Sequence, residues 1–400
     1  MSGSKGGDTP ADWALETRLV RGGTARSPEG ETSEAIFLNS GFVYDTAADA
    51  EARFKGEKAG FVYSRYGNPT VAMFEERMRL LEGAEACFAT ASGMSAVFAA
   101  MMCQLYAGDR VVAARALFGS CHHILTQILP RYGIETVLVD GTDLDQWEAA
   151  LKPGARCVFM ETPANPTLEL IDIAAVSRLA HAAGARVIID NVFATPVLQH
   201  PLQLGADIVV YSATKHIDGQ GRALGGAVLS SRDFIDNTLM PFLRHTGPSL
   251  SPFNAWVMLK GLETLSLRVE RMCETAAKVA DHLATLPGVG RVIYPGRDDF
   301  PQAELRKRQM SAGGTLVAFE VEGGKAMAFK ALDRLKIVDI SNNLGDSKSL
   351  ITHPTTTTHR AMAEEDRLRI GITDRLVRLS VGLENAGDLM ADLAQAFGQN

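Results

Sequence analysis

The sequence predicts an α/β protein in which a large domain, built on a mostly parallel sheet, precedes a smaller C-terminal α+β domain. Short, continuously apolar runs alternate with longer amphipathic stretches, as expected for strands that helices cover on both faces. Alternation of strands and helices favours parallel strands joined by right-handed crossovers. Near Trp256 this alternation stops, and a long helical pattern begins. The change of pattern indicates the start of a second domain.

The N-terminal part of the chain is predicted to hold little regular structure. A short helix is predicted near residues 13–20, and the stretch "AIFLNSGFVY" indicates extended chain. Asn68, Pro69 and Thr70 then form a helix-start signal for "VAMFEERMRLLEGAE", because asparagine caps a helix and proline fits its first turn. We expect residues 1–65 to form an N-terminal arm ahead of the large domain.

Seven strands of the large domain are predicted from apolar runs rich in valine, isoleucine and alanine. In chain order these runs are "ACFATAS", "RVVAARA", "ETVLVD", "RCVFMET", "RVIIDN", "DIVVYS" and "GAVLSS". Residues 255–286 then form one long helical pattern. Three further runs, "GTLVAFEVEG", "IVDIS" and "RLVRLSVGLE", predict strands of the smaller domain. We therefore expect the large domain over residues 66–260 and the C-terminal domain over residues 261–400.

The composition argues against several functional classes. Of the 400 residues, 46 % are hydrophobic and 22 % are charged, with a net charge of −7 that disfavours a nucleic-acid or anionic-membrane surface. No uninterrupted apolar stretch approaches the ~18 residues of a membrane span, and the polar N-terminus lacks the apolar region of a signal peptide. The five cysteines lack C-x-x-C and zinc-ligand spacing. We expect reduced thiols, no metal site and a cytoplasmic location.

Polar residues and glycines cluster where the predicted strands end. Open α/β sheets bind ligands at the carboxyl ends of their strands, so these residues are candidates for a binding site. They are Ser92, Gly93, Met94, Phe118, Gly119, Ser120, Glu161, Asn165, Asp190, Ser212, Thr214 and Lys215. The first three begin a helix, where the serine serves as an N-cap or the helix start binds a phosphate.

Asp190 and Lys215 each have two interpretations. A carboxylate at the end of an apolar strand either caps the following turn or, when buried, pairs with a cation such as a protonated pyridine nitrogen. A solvated lysine has a pKa of about 10.4 and is a poor nucleophile, whereas burial and a nearby cation lower that pKa and allow Schiff-base formation. The hydroxyl groups of Ser212 and Thr214 are suited to hold a phosphate while the lysine holds an aldehyde.

Two other motifs compete for the same part of the sequence. The stretch from Ser212 to Lys215 matches S-x-x-K, the nucleophile pair of penicillin-binding proteins and β-lactamases. That pair should open a helix, whereas this one ends a predicted strand, and its companion motifs stand in the wrong order. The stretch "GQGRALG" lacks the third glycine of G-x-G-x-x-G and follows no strand directly, which argues against a dinucleotide site.

Taken together, the motifs resemble the Cys/Met-metabolism pyridoxal-phosphate (PLP) enzymes, the family of cystathionine γ-synthases, cystathionine lyases, methionine γ-lyases and homoserine sulfhydrylases. The resemblance runs from about Phe37 to the C-terminus. The motifs that carry it, in the order of the family, are "YSRYGNPT", "ATASGMSAV", "ETPANPTLEL", "IIDNVFATP", "SATKHIDGQG", "SLITHPTTTTH" and "VRLSVGLE". The resemblance implies the PLP-dependent transferase fold type I, and PLP as the cofactor.

The resemblance also implies roles for the candidate residues. Lys215 would bind the cofactor aldehyde as a Schiff base, and Asp190 would pair with the pyridine nitrogen. Asn165 would lie beside the phenolic oxygen of the cofactor. The phosphate would be bound by Ser212, Thr214 and the backbone amides of Gly93 and Met94.

Three further residues matter to the substrate and to the assembly that the resemblance implies. Arg378 would bind the substrate α-carboxylate through both arms of its guanidinium group. The residues that match Tyr63 and Arg65 reach the phosphate of a neighbouring subunit, so the N-terminal arm would complete the neighbour's site. An obligate dimer follows, and a homotetramer built as a dimer of dimers is usual in the family.

The chain departs from the common family pattern at a few positions. Phe118 stands where many members have a tyrosine stacked on the cofactor ring; phenylalanine can stack but cannot move a proton. His123 falls where an arginine is common, and His122 and His123 have no third partner that would suggest a metal. Asn343 stands where relatives typically have a serine near the substrate carboxylate.

With these departures the chain resembles the branch of the family in which sulfide replaces the succinyl group of O-succinyl-L-homoserine. The products would be L-homocysteine and succinate, with Lys215 moving the substrate protons because Phe118 has no acidic group. Cystathionine synthesis with cysteine as the nucleophile, and γ-elimination, stay open as alternatives. The residues also leave open whether the acyl group is succinyl or acetyl.

Overall fold

The computed structural model describes residues 13–397. The polar N-terminal stretch that argues against a signal peptide lies almost wholly outside these residues. Contacts within the chain divide it into two compact units. The first unit takes the chain up to Gln104, Val210–Thr214 and Arg222–Thr264; the second takes Leu105–Val209, Lys215–Gly221 and the chain from Leu265. The predicted domain boundaries after residues 65 and 260 stay a prediction.

The larger sheet has seven strands in the order β1-β7-β6-β5-β4-β2-β3. These strands are β1 (Ala86–Thr90), β2 (Arg110–Ala114), β3 (Glu135–Val139), β4 (Cys157–Glu161), β5 (Arg186–Asp190), β6 (Ile208–Ser212) and β7 (Gly226–Ser230). Strand β2 pairs in parallel with β3 and β4, and β4 pairs in parallel with β5, whereas β1 is antiparallel to β7. Each predicted run forms one strand, so the mostly parallel α/β sheet is confirmed.

The smaller sheet is mixed and has the strand order β10-β11-β12-β9-β8. Its strands are β8 (Val289–Ile293), β9 (Leu316–Val321), β10 (Asp339–Ile340), β11 (Leu350–Thr352) and β12 (Leu376–Ser380). The three predicted runs correspond to β9, β10 and β12. Strands β8 and β11 have no counterpart among the predicted runs. Strand β11 is too short for a periodic signal, and β8 is only partly buried and carries no continuous apolar run.

Sixteen α-helical segments occur within the described residues. They are α1 (Leu15–Arg21), α2 (Ala47–Phe54), α3 (Pro69–Glu82), α4 (Gly93–Met102), α5 (Gly119–His123), α6 (Leu144–Leu151), α7 (Ile173–Ala182), α8 (Thr195–Leu198), α9 (Arg232–Phe234), α10 (Met240–Thr246), α11 (Pro252–Leu262), α12 (Leu265–Leu283), α13 (Ala303–Gln309), α14 (Gly324–Leu332), α15 (Glu364–Arg369) and α16 (Ala386–Phe397). No helix in this part of the chain is both long and apolar enough to cross a membrane.

The single long helix expected over residues 255–286 is wrong, because the chain forms α11 and α12 with a break between them. At the break, the amide of Thr264 donates to the carbonyl oxygen of Gly261 over 3.3 Å, and the Thr264 hydroxyl reaches the same oxygen over 3.4 Å. A threonine side chain that competes for a backbone carbonyl favours a helix end over continued helix. The apolar periodicity continues across the break, which explains why the sequence alone did not reveal it.

A buried ion pair fixes the extended N-terminal segment within the first unit. Glu34 accepts a hydrogen bond from Arg77 of α3 over 2.7 Å and another from Lys260 of α11. The guanidinium of Arg77 is fully buried and also donates to the carbonyl oxygens of Gly22 and Leu259. Burial alone would raise the pKa of Glu34, but the hydrogen bonds from Lys260 and Arg77 outweigh it and lower the pKa to about 2.

We predict that Glu34→Gln lowers the free energy of unfolding by about 3 kcal/mol at neutral pH, because it leaves the buried Arg77 charge without its counter-ion. This is the lower end for a broken buried pair, since a quarter of the Lys260 side chain is exposed. The ionised Glu34 stabilises the fold above about pH 4.5, and this stabilisation is lost as the pH falls towards 2. The difference in unfolding free energy between the two proteins should therefore shrink as the pH is lowered over that range. Chemical denaturation of both proteins at several pH values measures the difference.

The matched control is Glu76→Gln on α3, the helix that carries Arg77. Glu76 pairs with Arg79 over 2.7 Å, but 38 % of its side chain is exposed. An exposed pair of this kind is worth about 0–1 kcal/mol. If the two variants lose the same free energy of unfolding, burial does not strengthen the effect of removing the charge at Glu34.

Candidate active site

Lys215 lies in the turn that follows the end of β6 and belongs to the second unit. Its Nζ donates to Oδ1 of Asn343 over 2.5 Å. Burial, followed by the nearby charge of Arg378, lowers the pKa of the lysine to about 8. At neutral pH a much larger fraction of this amine is uncharged than in a solvated lysine, so it is suited to act as a nucleophile or a base.

The turn after Lys215 is held by several neighbours. The amide of Gly219 donates to the carbonyl oxygen of Lys215 over 2.8 Å, and Arg268 of α12 donates to the carbonyl oxygen of His216 over 2.7 Å. His216 is buried and bonds Oγ1 of Thr315 through Nε2 over 2.8 Å. Gly219 has a φ of +68°, and a Cβ there would lie 2.0 Å from the Arg268 guanidinium, so only glycine fits. The turn that carries Lys215 is therefore fixed by hydrogen bonds and by close packing.

Two buried carboxyl groups lie side by side at the ends of β4 and β5. Glu161 and Asp190 are paired residues of these parallel strands, and their side chains are only 3 % and 8 % exposed. Asp190 accepts the amide of Val192 over 3.1 Å, and no cation pairs with it within residues 13–397. Burial raises the pKa of Asp190 to about 7. A buried acid without a cationic partner is suited to bind a cationic ligand group.

Arg378 on β12 is buried and donates hydrogen bonds to three asparagines. Its Nη1 donates to Oδ1 of Asn165 over 2.8 Å, and its Nη2 donates to the carbonyl oxygens of Asn342 and Asn343 over 3.0 and 3.2 Å. Its Nε is buried and has no hydrogen-bond partner among the described residues. Burial lowers the pKa of the guanidinium to about 10. A buried guanidinium with a donor to spare is a ready site for a carboxylate.

Phe118 lies half-buried at the start of α5, and its backbone amide donates to Glu161 over 2.8 Å.

The neighbouring histidines differ in burial. Burial, countered in part by the charge of Asp366, lowers the pKa of the half-buried His122, whereas His123 is exposed. No group of three or more His, Cys, Asp or Glu side chains suited to a metal occurs among residues 13–397. The imidazole of His359 is buried and contacts the carbonyl oxygen of Leu117 over 3.3 Å.

The first unit holds the predicted phosphate residues. Gly93 is the first residue of α4, and the Ser92 hydroxyl caps this helix by accepting the amide of Ser95 over 3.2 Å. A Cβ at Gly93 would lie 2.4 Å from Cβ of Ser212, so the missing side chain lets the end of β6 approach the helix N-terminus. Met94 follows in the first turn. Backbone amides and a hydroxyl at a helix start form an anion-binding arrangement.

Thr214 also belongs to the first unit and is fixed by backbone contacts. Its Oγ1 accepts the amide of Gly225 over 3.2 Å and lies 3.4 Å from the carbonyl oxygen of the same residue. Ser212 ends β6, as the sequence analysis expects, so the stretch from Ser212 to Lys215 does not open a helix. This placement removes the structural basis of the S-x-x-K alternative.

Tyr63 and Arg65 lie in a cluster of aromatic and cationic groups in the first unit. The Arg65 guanidinium stands 5.2 Å from the Tyr63 ring and 4.7 Å from the Tyr66 ring, and it donates to the carbonyl oxygen of Arg244. Tyr63 is 41 % exposed. Within this unit the cluster holds an arginine and a tyrosine near the surface, where both are accessible to a neighbouring molecule.

The structure thus brings Lys215, Asn343, Arg378 and Asn165 into one hydrogen-bonded group within the second unit. Sequence reasoning named Glu161 but assigned it no role, and it missed Arg268 and His359. Glu161 carried a detectable signal, a charged residue at the end of the apolar run "RCVFMET". Arg268 carried none, because an arginine within an amphipathic helix is usually solvent-exposed.

Comparison with known proteins places the chain in a family. A model of the Cys/Met metabolism PLP-dependent enzymes matches residues 16–398. An O-succinylhomoserine sulfhydrylase of Mycobacterium tuberculosis is 58 % identical over 94 % of each chain, and an L-methionine gamma-lyase of Porphyromonas gingivalis is 42 % identical over 94 % of this chain and 95 % of the lyase.

A solved structure has the same fold. The crystal structure of a Campylobacter jejuni protein assigned as an O-acetylhomoserine (thiol)-lyase superposes with a TM-score of 0.93 at 32 % identity, covering 97 % of this chain and all of the other. That protein carries a pyridoxyl phosphate group on a lysine.

We predict that the rate at which the Lys215 amine reacts reaches half of its maximum near pH 8, in protein from which bound small molecules have been removed. For a solvated lysine, the half-maximal rate is expected near its pKa of ~10.4. Reductive methylation over a pH series, followed by peptide mass spectrometry, measures this midpoint. Arg378→Lys should keep the midpoint because it keeps the charge, and Arg378→Gln should raise it. A midpoint above pH 10 for the wild-type protein would contradict the prediction.

Proposed function

The chain belongs to the Cys/Met metabolism PLP-dependent enzyme family, and we propose from this that it catalyses γ-replacement on O-succinyl-L-homoserine. A carbon–sulfur bond forms between sulfide and Cγ as the Cγ–O bond breaks, so that succinate leaves and L-homocysteine is released. The observation that supports this substrate best is the higher identity to an O-succinylhomoserine sulfhydrylase than to a methionine gamma-lyase, each over nearly the whole chain. The reaction is a carbon–sulfur bond-forming step of the kind used to make methionine.

The residues present fit PLP. Lys215 has the depressed pKa that an amine needs to bind an aldehyde, and Asp190 is a buried acid without a cationic partner in the described chain, as a pyridine nitrogen requires. The missing Cβ at Gly93 lets Ser212 approach the start of α4, which places a hydroxyl beside the backbone amides there. When bound, PLP acts as an electron sink that stabilises negative charge at the substrate Cα.

We assign the cofactor-binding roles as follows. Asp190 holds a proton on the pyridine nitrogen, and Phe118 stacks on the ring. Oδ1 of Asn165 is engaged by Arg378, so its amide NH2 group is left to donate to the phenolic oxygen. The phosphate is bound by Ser212, Thr214 and the backbone amides of Gly93 and Met94.

Arg378 and Lys215 act on the substrate. Arg378 binds the α-carboxylate, using the Nε that has no partner among the described residues, while Asn165 and the backbone at Asn342 and Asn343 keep its plane fixed. Lys215 removes the Cα proton and returns it, and it also serves at Cβ, because Phe118 carries no group that exchanges protons. Asn343 holds the amine of Lys215 in place between these steps.

The exposed cluster of Tyr63 and Arg65 supports an assembly of several subunits. We propose that Tyr63 and Arg65 reach the cofactor phosphate of a partner subunit in a homodimer, with two dimers forming a tetramer. The N-terminal segment supports this, because Leu38 and Val43 are 71 % and 95 % exposed, an unfavourable setting for apolar side chains unless a partner covers them. The five cysteines lack C-x-x-C and zinc-ligand spacing, which supports a reducing, cytoplasmic setting.

We predict that purified protein given O-succinyl-L-homoserine with equal amounts of sulfide and cysteine makes mainly homocysteine, as identified by mass spectrometry. If cystathionine is the main product, the protein is a cystathionine γ-synthase. If 2-oxobutanoate is the only product, the protein is a γ-lyase. The control is Lys215→Ala, which should lower kcat by at least about 10³-fold because it removes both the covalent anchor and the base.

A second prediction tests the shared site. Lys215→Ala and Arg65→Ala should each be nearly inactive, but mixing equal amounts under conditions that exchange subunits should restore about a quarter of wild-type activity. Half of the dimers are then mixed, and one of the two sites in each combines an intact Lys215 with an intact partner arginine. No recovery after confirmed subunit exchange would contradict the assignment of Arg65 to the partner's site.

A further inference from the structure

We infer that Glu161 is a positioning residue that stays protonated beside Asp190 and holds the backbones of Phe118 and Asn165, so that the two carboxyl groups carry one negative charge. The inference rests on the proposed roles of Asp190, Phe118 and Asn165 toward the cofactor. It assigns to Glu161 a task distinct from binding the cofactor itself.

The strand register brings the two acids together. Glu161 and Asp190 are the paired last residues of β4 and β5. Neighbouring strands lie about 4.8 Å apart, and paired residues of parallel strands point to the same face of the sheet. Both side chains are buried, so two full negative charges there would repel each other without screening by water. One proton shared by the pair removes that repulsion.

The neighbours of Glu161 are the groups that frame the proposed cofactor site. Its Oε2 accepts the backbone amide of Phe118 over 2.8 Å, and the backbone amide of Asn165 also faces this carboxyl group. Arg378 approaches from β12 and Cys121 from α5, and these two with Asp190 are the titratable groups that face it. One side chain thus contacts the loops that carry the stacking ring and the amide beside the phenolic oxygen.

The proton is assigned to Glu161 rather than to Asp190. Burial, followed by the charge of Asp190, raises the pKa of Glu161 well above its usual value, whereas burial raises the pKa of Asp190 only to about 7. A cationic pyridine nitrogen at Asp190 would favour the ionised form of that residue further. A neutral carboxyl group still has oxygens that accept backbone amides, so Glu161 keeps its contacts without a charge.

Two substitutions test the inference on the PLP-loaded protein. Glu161→Gln mimics a protonated carboxyl group and should bind PLP within about threefold of wild type, with an unchanged visible circular dichroism signal of the bound cofactor. Glu161→Ala removes the acceptor and should weaken PLP binding about tenfold and change that signal, as the loss of one hydrogen bond predicts. The surface control Glu304→Gln should change neither.

A pH series adds a readout that a purely structural role would leave unchanged. When a carboxyl pKa is raised by folding, the fold loses stability as the pH rises above about 4.5, the pKa of the same group in the unfolded chain. Glutamine at position 161 does not titrate, so the thermal midpoint of Glu161→Gln should rise relative to that of the wild-type protein as the pH increases. The inference fails if Glu161→Gln loses PLP as Glu161→Ala does, if Glu161→Ala binds like wild type, or if the difference in midpoint is independent of pH. Product identity, which tests the proposed reaction, is measured separately and does not enter these readouts.

Discussion

The parallel register of β4 and β5 is the constraint on which the site depends. Because parallel strands end at the same edge of a sheet, their last residues, Glu161 and Asp190, are forced into one buried space. The sheet itself gains nothing from two acids at this position. Burial there is tolerated because Glu161 receives a backbone amide, Asp190 receives another, and the strands on which they lie are covered by apolar side chains on both faces.

The placement of Lys215 depends on elements that are distant in the sequence. Arg268 of α12 and Thr315 fix His216 next to it, and Asn343 binds its amine, so three segments hold one turn. Burial and the charge of Arg378 lower the pKa of Lys215, and the turn keeps the amine in these surroundings. A mobile lysine would reach water and regain its charge, whereas a lysine held in a buried turn cannot.

Much of the fold was predictable from local patterns, and much of the site was not. The strands of the larger sheet follow from continuous apolar runs, and the capping roles of Asn68 and Ser92 follow from residue type. The break at Thr264 was missed because the apolar periodicity of the helical pattern continues across it. Strand β11 was missed because it is too short to show the alternation of a strand. Arg268 was missed because its function is defined by a partner more than fifty residues away in the chain, and no local pattern reports that.

The backbone hydrogen bond of Phe118 has a consequence for how this fold diversifies. Since the amide, not the ring, fixes this residue to Glu161, the side chain at the position is exchangeable without disturbing the frame around it. An aromatic residue with a hydroxyl group would keep the ring and add a proton donor. Position 118 is thus a point at which evolution can alter the chemistry of the site by a single oxygen atom while the architecture stays constant.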